Sequence, residues 1–263
     1  MKKLLIVSLL ASLSAPSFAA NNAFVIEQES AGETTLKFGH KFDLGLGHLG
    51  LGLEHVLKDN LKKSKETTVG TSFTFDITDS FYIEPQLAVT MPSDSKIKGS
   101  HSFIDEDKTS TKINGEFETG NTYKVGVKAG YSFGEAFVSA RYRYDIREDK
   151  LNLRDTSNSK NTKSAKFNDN VHRTDLTAGY NFEIVTVSAN WIHKEGESKI
   201  KNVGGKVTAS ANEYEFKATG NGFGDLKPYV QYTVKSDIDS KGNLGKEKVN
   251  PDNVFMLGMQ YNF

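Results

Sequence analysis

Arg141, Arg143 and Arg147 occupy odd positions of one alternating stretch, so in an extended chain they leave the same face. Neighbours two residues apart are about 7 Å from each other along a strand, a spacing at which an anion passes from one guanidinium to the next. Arg173 adds a further fork from a second segment, and Lys124, Lys128 and Lys227 fall on the equivalent faces of theirs, as do lysines 37, 41, 217 and 235. Arginine grips a carboxylate with two parallel bonds, whereas lysine is a hydrated point charge and holds it more loosely. Acids share these faces: Glu66, Asp76, Glu84, Asp145 and Asp175, with Asp43, Glu54, Glu213 and Glu215. Two readings are therefore open. The bases guide anions, or they pair with the acids to satisfy charge inside a polar interior. One charge pair at about 7 Å is worth roughly 0.6 kcal/mol in water-like dielectric and about four times that in a partly desolvated constriction, which suits passage better than tight binding.

Other chemistry has weaker support. His172 and His193 fall on the opposite parity, and His40, His48, His55 and His101 show no ligand spacing on one element, so no metal and no cofactor are implied. There is no cysteine, which removes thiol chemistry and disulfides. No Ser and His stand at matching parity on adjacent segments with an orienting partner, so the sequence does not point to an enzyme, although a triad assembled from loops stays open.

The elements that must carry these residues are alternating segments. The last runs Phe255-Met256-Leu257-Gly258-Met259-Gln260-Tyr261-Asn262-Phe263, with every odd position apolar or aromatic. That is the pattern of a membrane-spanning β-strand, with the last strand of a soluble sandwich as the alternative. Twelve such segments are predicted: 23–29, 33–43, 46–57, 65–77, 80–91, 116–133, 135–148, 170–182, 185–195, 207–219, 226–236 and 253–263. Short turns such as Thr78-Asp79, Gly134 and Glu183-Ile184 alternate with polar loops near 92–115, 149–169, 196–206 and 237–252. The expected fold is all-β, a transmembrane antiparallel up-and-down barrel of about 12 strands, with apolar residues such as Tyr123, Val125, Val127, Tyr131 and Phe133 toward lipid. Acids dominate the third to fifth segments and bases the sixth, seventh and eleventh, so the lumen should carry a field from wall to wall. Gly45, Gly47, Gly50 and Gly52 suggest strong curvature or reserved space.

The start of the chain and its composition agree with export. Met1-Lys2-Lys3, the apolar stretch Leu4 to Leu13 and Ser17-Phe18-Ala19 predict a signal peptide over 1–19, leaving 20–263 as the barrel. Of 33 basic residues, Lys2 and Lys3 depart, leaving 31 against 33 acids and a charge of about −2, which argues against nucleic acid as a partner. With 10 Tyr, 17 Phe and 23 Gly, and no long apolar run after the leader, the chain is aromatic yet polar on average.

Two stretches resemble the monomeric twelve-stranded porins for acidic sugars, the oligogalacturonate-specific and sialic-acid channels of the KdgM type. They are Ala140-Arg141-Tyr142-Arg143-Tyr144-Asp145 and Asp169-Asn170-Val171-His172-Arg173 with Asp175, Gly179 and Tyr180. Asn212 to Phe216, Leu226 to Tyr229 and the C-terminal strand add to the likeness, which covers the C-terminal half. It implies a narrow passive channel for small anionic oligosaccharides in the bacterial outer membrane, a monomer among outer-membrane lipids and lipopolysaccharide. It also implies that Phe263 is a terminal aromatic signal for the assembly machinery. The departure is in arginine: that family lines its lumen with many, and this chain has five in all, including Arg154. General solute diffusion is one alternative. A non-conducting surface barrel is another, its loop 149–169 carrying Lys150, Lys160, Lys163 and Lys166 either for a ligand or for lipopolysaccharide phosphates.

Overall fold

The computed structural model describes residues 22–104, 110–155, 162–201, 205–242 and 245–263; the expected leader over 1–19 lies outside them, as do the side chains of His101 and Lys160. Twelve strands form the wall. In chain order they are β1 (Asn22–Glu29), β2 (Thr34–Asp43), β3 (His48–Lys58), β4 (Lys63–Asp76) and β5 (Phe81–Pro92), then, after a hairpin, β8 (Thr122–Phe133), β9 (Ala136–Asp155) and β10 (Thr162–Asn181). β11 (Val185–Lys201), β12 (Gly205–Gly220), β13 (Leu226–Lys235) and, after a second hairpin, β16 (Val254–Asn262) complete it. All pairings are antiparallel, and β16 closes on β1 from Ala23↔Asn262 to Glu29↔Met256, with β9 and β10 paired from Tyr180↔Ala136 to Thr162↔Arg154. Each predicted segment overlaps one wall strand, though 116–133 also takes in the end of a hairpin strand and β9 to β12 run beyond their predicted bounds.

The side-chain pattern is inside out relative to a water-soluble domain. Tyr123, Val125, Val127, Tyr131 and Phe133 are exposed on β8 while Lys124 between them is 5% exposed, and on β16 Phe255, Leu257, Met259 and Tyr261 are likewise exposed. Arg143, Asp145 and Arg173 are at most 2% exposed. A belt of that extent, apolar outside and charged inside, is stable only against lipid, which makes this a transmembrane barrel.

The polar connections differ from expectation. The segments read as loops near 92–115 and 237–252 contain the hairpins β6 (Lys96–Ile104)/β7 (Ser110–Glu118) and β14 (Ile238–Gly242)/β15 (Gly245–Val249), while β9, β10, β11 and β12 extend into the other two. Residues 116–133 are not one strand: β7 ends at Glu118 and β8 begins at Thr122. The reason is register. β9 is 20 residues long, pairing with β8 up to Thr122↔Arg147 and with β7 from Glu118↔Lys150 onward, so the break lets two strands share one edge. Polar residues alternate less visibly than apolar ones, yet pair equally well once they leave the membrane.

Three inward rings lie flat on the wall over glycines directly opposite them: Tyr82 on Gly130, Phe137 on Gly179 and Tyr229 on Gly258. A Cβ at Gly258 would stand 2.2 Å from the Tyr229 ring, and at Gly130 2.3 Å from that of Tyr82. The missing side chain is what lets an aromatic cover the backbone without projecting into the lumen.

Gly258→Ala should lift the Tyr229 ring and lower stability by roughly 1–3 kcal/mol, as overpacking does. Val127→Arg, in the middle of the lipid-facing belt, should lower it by about 2–4 kcal/mol. Both are read from urea unfolding in lipid vesicles, and an unchanged midpoint for Val127→Arg would contradict the assigned face.

Candidate functional site

The wall encloses a cavity with about 820 Å³ open to water, lined by residues from nearly every wall strand. Its charges are mostly paired. Asp175 on β10 lies between two guanidiniums, Arg141 Nε at 2.8 Å from its Oδ2 and Arg173 at 2.7 Å from its Oδ1. Lys194 on β11 pairs with Glu213 on β12 at 2.9 Å, and Lys37 on β2 with Glu27 at 2.9 Å and Glu54 at 3.6 Å. Lys65 is 2.7 Å from Glu33. The Tyr229 hydroxyl donates to Glu27 Oε1, and Lys217 Nζ sits 3.6 Å above the same ring. Lys128 forms no ion pair among the described residues and stands 5.6 Å from the centre of the Tyr82 ring.

Formal charges do not cancel locally. From β1 to β4, turn included, the cavity is lined by Glu27, Glu29, Glu33, Glu54 and Glu66 against Lys37 and Lys65, a balance of −3. From β8 to β11 it is lined by Lys128, Arg141, Arg173 and Lys194 against Asp175, a balance of +3. Strand order sets these two arcs across the barrel from each other, while β12 and β13 contribute Glu213, Glu215, Lys217 and Lys235, which balance. The lumen is thus dipolar, and in a water-poor channel such a field aligns polar solutes.

Among the bases singled out by sequence, Arg141, Arg173 and Lys128 line this cavity with Lys37, Lys217 and Lys235, as do the acids Glu54, Glu66, Asp175, Glu213 and Glu215. Arg143 and Asp145 face inward but are sealed in the wall, bonded to each other through Arg143 Nε to Asp145 Oδ1 at 2.8 Å, with Lys124 buried beside them on the neighbouring strand. Arg147 lies higher, at 3.1 Å from Asp149 and 2.7 Å from Asp169. Lys227 falls on the inward parity of β13 near the end that carries Asn22 and Phe263, opposite Gln260, which lines the cavity there. At that end Asp76 meets His48 at 3.2 Å, and Glu84 accepts from Thr74 at 2.7 Å and Gln86 at 2.6 Å. Phe263 is exposed and stacks on Tyr261, centroids 5.6 Å apart.

Glu27, Glu29, Glu33, Lys65, Lys194 and Tyr229 were missed. Parity carried the signal for Lys194, since the outward His193 next to it turns it inward, and for Glu27 and Glu29 on β1. Parity carried it for Glu33 too, which opens the predicted segment 33–43 on the odd face of Lys37 and Lys41 and lines the lumen just before β2 begins.

A serine and a histidine do meet on adjacent strands, contrary to the parity reading, because a bulge shifts β4 against β3 between Val56 and Leu57. Ser64 Oγ is 3.4 Å from His55 Nε2 and His55 Nδ1 is 2.9 Å from Thr67 Oγ1. Ser64 is held more closely by Ser93 Oγ, and the group at Nδ1 is a hydroxyl rather than the carboxylate that would stabilise an imidazolium. Among the described residues no group of three or more His, Asp or Glu could hold a metal ion.

The class defined by fold and lumen is a twelve-stranded transmembrane β-barrel with a water-accessible charged interior. Solved structures share that fold. The NanC porin is similar at 15% identity with a TM-score of 0.55, over 92% of this chain and 100% of that one. The KdgM porin follows at 16% and 0.54, over 92% and 98%, and the COG4313 outer membrane channel from Pseudomonas putida F1 at 12% and 0.57, over 95% and 100%. No family model matches the chain, and no curated protein does.

Above the belt, burial pushes the Asp149 carboxyl up to about 6, against the pull of Arg147 and of the Gly120 N–H that donates to it at 2.9 Å. The folded state then keeps a proton between about pH 4 and 6 that the unfolded chain has released, so this cluster loses stability as pH rises through that window and is level above it. Asp149→Asn should flatten that part of the stability–pH curve relative to the wild type. Parallel curves between pH 4 and 7 in urea unfolding would contradict it.

Proposed function

We propose that this protein is a monomeric, passive channel of the bacterial outer membrane for small anionic oligosaccharides. The observation that carries this reading is the opposition of a −3 arc and a +3 arc across one continuous cavity. On the basic arc Arg141, Arg173, Lys194 and Lys128 offer a track to carboxylates, the first three anchored by partial pairing so that attraction stays shallow. Facing it, Glu27, Glu54 and Glu66 accept hydrogen bonds from sugar hydroxyls and repel the carboxylates toward the opposite wall. Uneven, weak and repeated contacts favour entry and also release. The fold likeness supports the reading, and one of the similar structures is of the KdgM porin in complex with disordered oligogalacturonate.

Arg143, Arg147 and Lys124 enter this scheme as fixed positive background behind the track, and Lys227 as a charge at the exit. Asn22 and Phe263 share the end with short turns, which becomes the periplasmic side, and the strand extensions and hairpins form the extracellular side. A transporting role fits the site better than catalysis, since the Ser64–His55 contact has no carboxylate partner.

Single-channel recording in a salt gradient tests this. The wild type should conduct, with a reversal potential on the anion side and current perturbed by oligogalacturonate or sialic acid. Arg141→Gln with Lys128→Gln should shift the permeability ratio toward cations by a factor of about two or more, and Glu66→Gln toward anions, consistent with a weak attraction of roughly 0.6 kcal/mol per charge at about 7 Å in water-like dielectric. Conduction insensitive to all three changes and to acidic sugars would leave a general diffusion pore, and no conduction would overturn the channel reading.

A further inference from the structure

We propose that the outward face of β9 to β12, just above the lipid-facing belt, is a binding site for the phosphate groups of an anionic glycolipid headgroup in the outer leaflet. Register alone sets up the unusual feature. Lys166 on β10 stands directly opposite Lys150 on β9 and Lys201 on β11, giving a rung of three lysines across three neighbouring strands. One step along, Lys199 on β11 stands opposite Lys206 on β12. Like charges in direct cross-strand pairs destabilise a sheet.

The acids on this face are too few to compensate. Glu148 is shared between Lys166 at 3.0 Å and Lys201 at 3.4 Å, and Glu197 between Lys199 at 2.5 Å and Lys206. Glu118 on β7 is opposite Lys150 and also near Lys96. Glu195, the next acid on β11, turns to His193 at 3.4 Å. Five lysines therefore meet three glutamates, with ammonium groups to spare for an anion. All five are exposed, and they project from paired strands rather than from a loose loop.

Height selects the partner. Ile146 is the last outward apolar residue of the belt on β9, and Lys150 lies four residues further, about 13 Å along a tilted strand and so roughly 10 Å above the belt. That is the level of polar headgroups. Six to eight residues down the same strands amphipathic rings cluster: Tyr144 on His172 with centroids 4.8 Å apart, the Tyr142 hydroxyl 2.6 Å from His172 Nδ1, and Trp191 stacked on His193 at 5.9 Å. Such rings hold a barrel at the membrane interface, so the acyl chains of a lipid would lie against the belt while its phosphates reach the lysines.

The test uses the full barrel in detergent micelles, titrated with lipopolysaccharide, with the same glycolipid after removal of its phosphates, and with inorganic pyrophosphate. Lys166→Gln/Lys201→Gln should bind lipopolysaccharide roughly thirtyfold more weakly than the wild type, from about 1 kcal/mol per lysine near an anionic surface, and Lys166→Arg/Lys201→Arg should restore binding. Wild-type affinity should fall as salt rises. Equal binding by the Gln variant, or undiminished binding of the dephosphorylated glycolipid, would overturn the proposal. Competition by pyrophosphate at the glycolipid's own affinity would also overturn it in favour of a free-phosphate site. Circular dichroism and conductance of the Gln variant should match the wild type, because neither lysine lines the lumen, so loss of this site and failure of the channel reading give separate results.

Discussion

Every backbone N–H and C=O that enters the hydrocarbon must find its partner within the protein, because no water is there to replace it. For a chain built of strands this demands a closed ring, and here the ring depends on two seams: β16 returning to β1 and β9 meeting β10 over most of their length. Closure fixes register around the whole wall. With register comes the face of each side chain, so a slip of one residue would carry Arg143, Asp145 and Arg173 into lipid and Val125 and Val127 into the lumen.

Within that ring the interior has to be polar without collapsing or repelling itself. Pairing solves much of this: Asp175 between Arg141 and Arg173, Lys37 between Glu27 and Glu54, Lys194 with Glu213. Space is kept by a different device, the inward rings of Tyr82, Phe137 and Tyr229 lying over Gly130, Gly179 and Gly258. What pairing leaves over is unevenly distributed, and the resulting field across the cavity is the property on which a transport role rests. Among the described residues one buried apolar cluster forms inside the far end, from Val171, Ala209, Ala211 and Ile238, with Val249 packed on it, where the β14/β15 hairpin meets β12. That cluster ties the hairpin to the wall.

Beyond the belt the strands continue because solvent does not forbid pairing; it only ceases to require it. β9 changes partner from β8 to β7 at the break around Gly120, where a Cβ would stand 2.0 Å from the Glu148 carbonyl oxygen and Asp149 accepts the amide. The same extensions place rows of lysine and glutamate on their outer face. Lumen and rim thus use one backbone for two electrostatic surfaces.

By itself the sequence determined the twelve wall strands and the face of nearly every residue in them, because lipid enforces a strict period of two that any register must respect. It also marked Arg141, Arg173, Lys128, Glu66 and Asp175 as inward. Tertiary structure alone decided how each inward charge is held: Arg143 shares the parity of Arg141 and Arg147, yet it is sealed in the wall with Asp145 two residues further along the same strand, whereas Arg147 is as open as Arg141 and bridges Asp149 and Asp169. It decided the strand extensions and the β7–β8 break, where polar alternation is too weak to read. It aligned Lys150, Lys166 and Lys201 in one rung. Parity is a local property of an extended chain, whereas depth, pairing partner and height above the belt depend on how far each strand is staggered against the next, and stagger is set only when the ring closes.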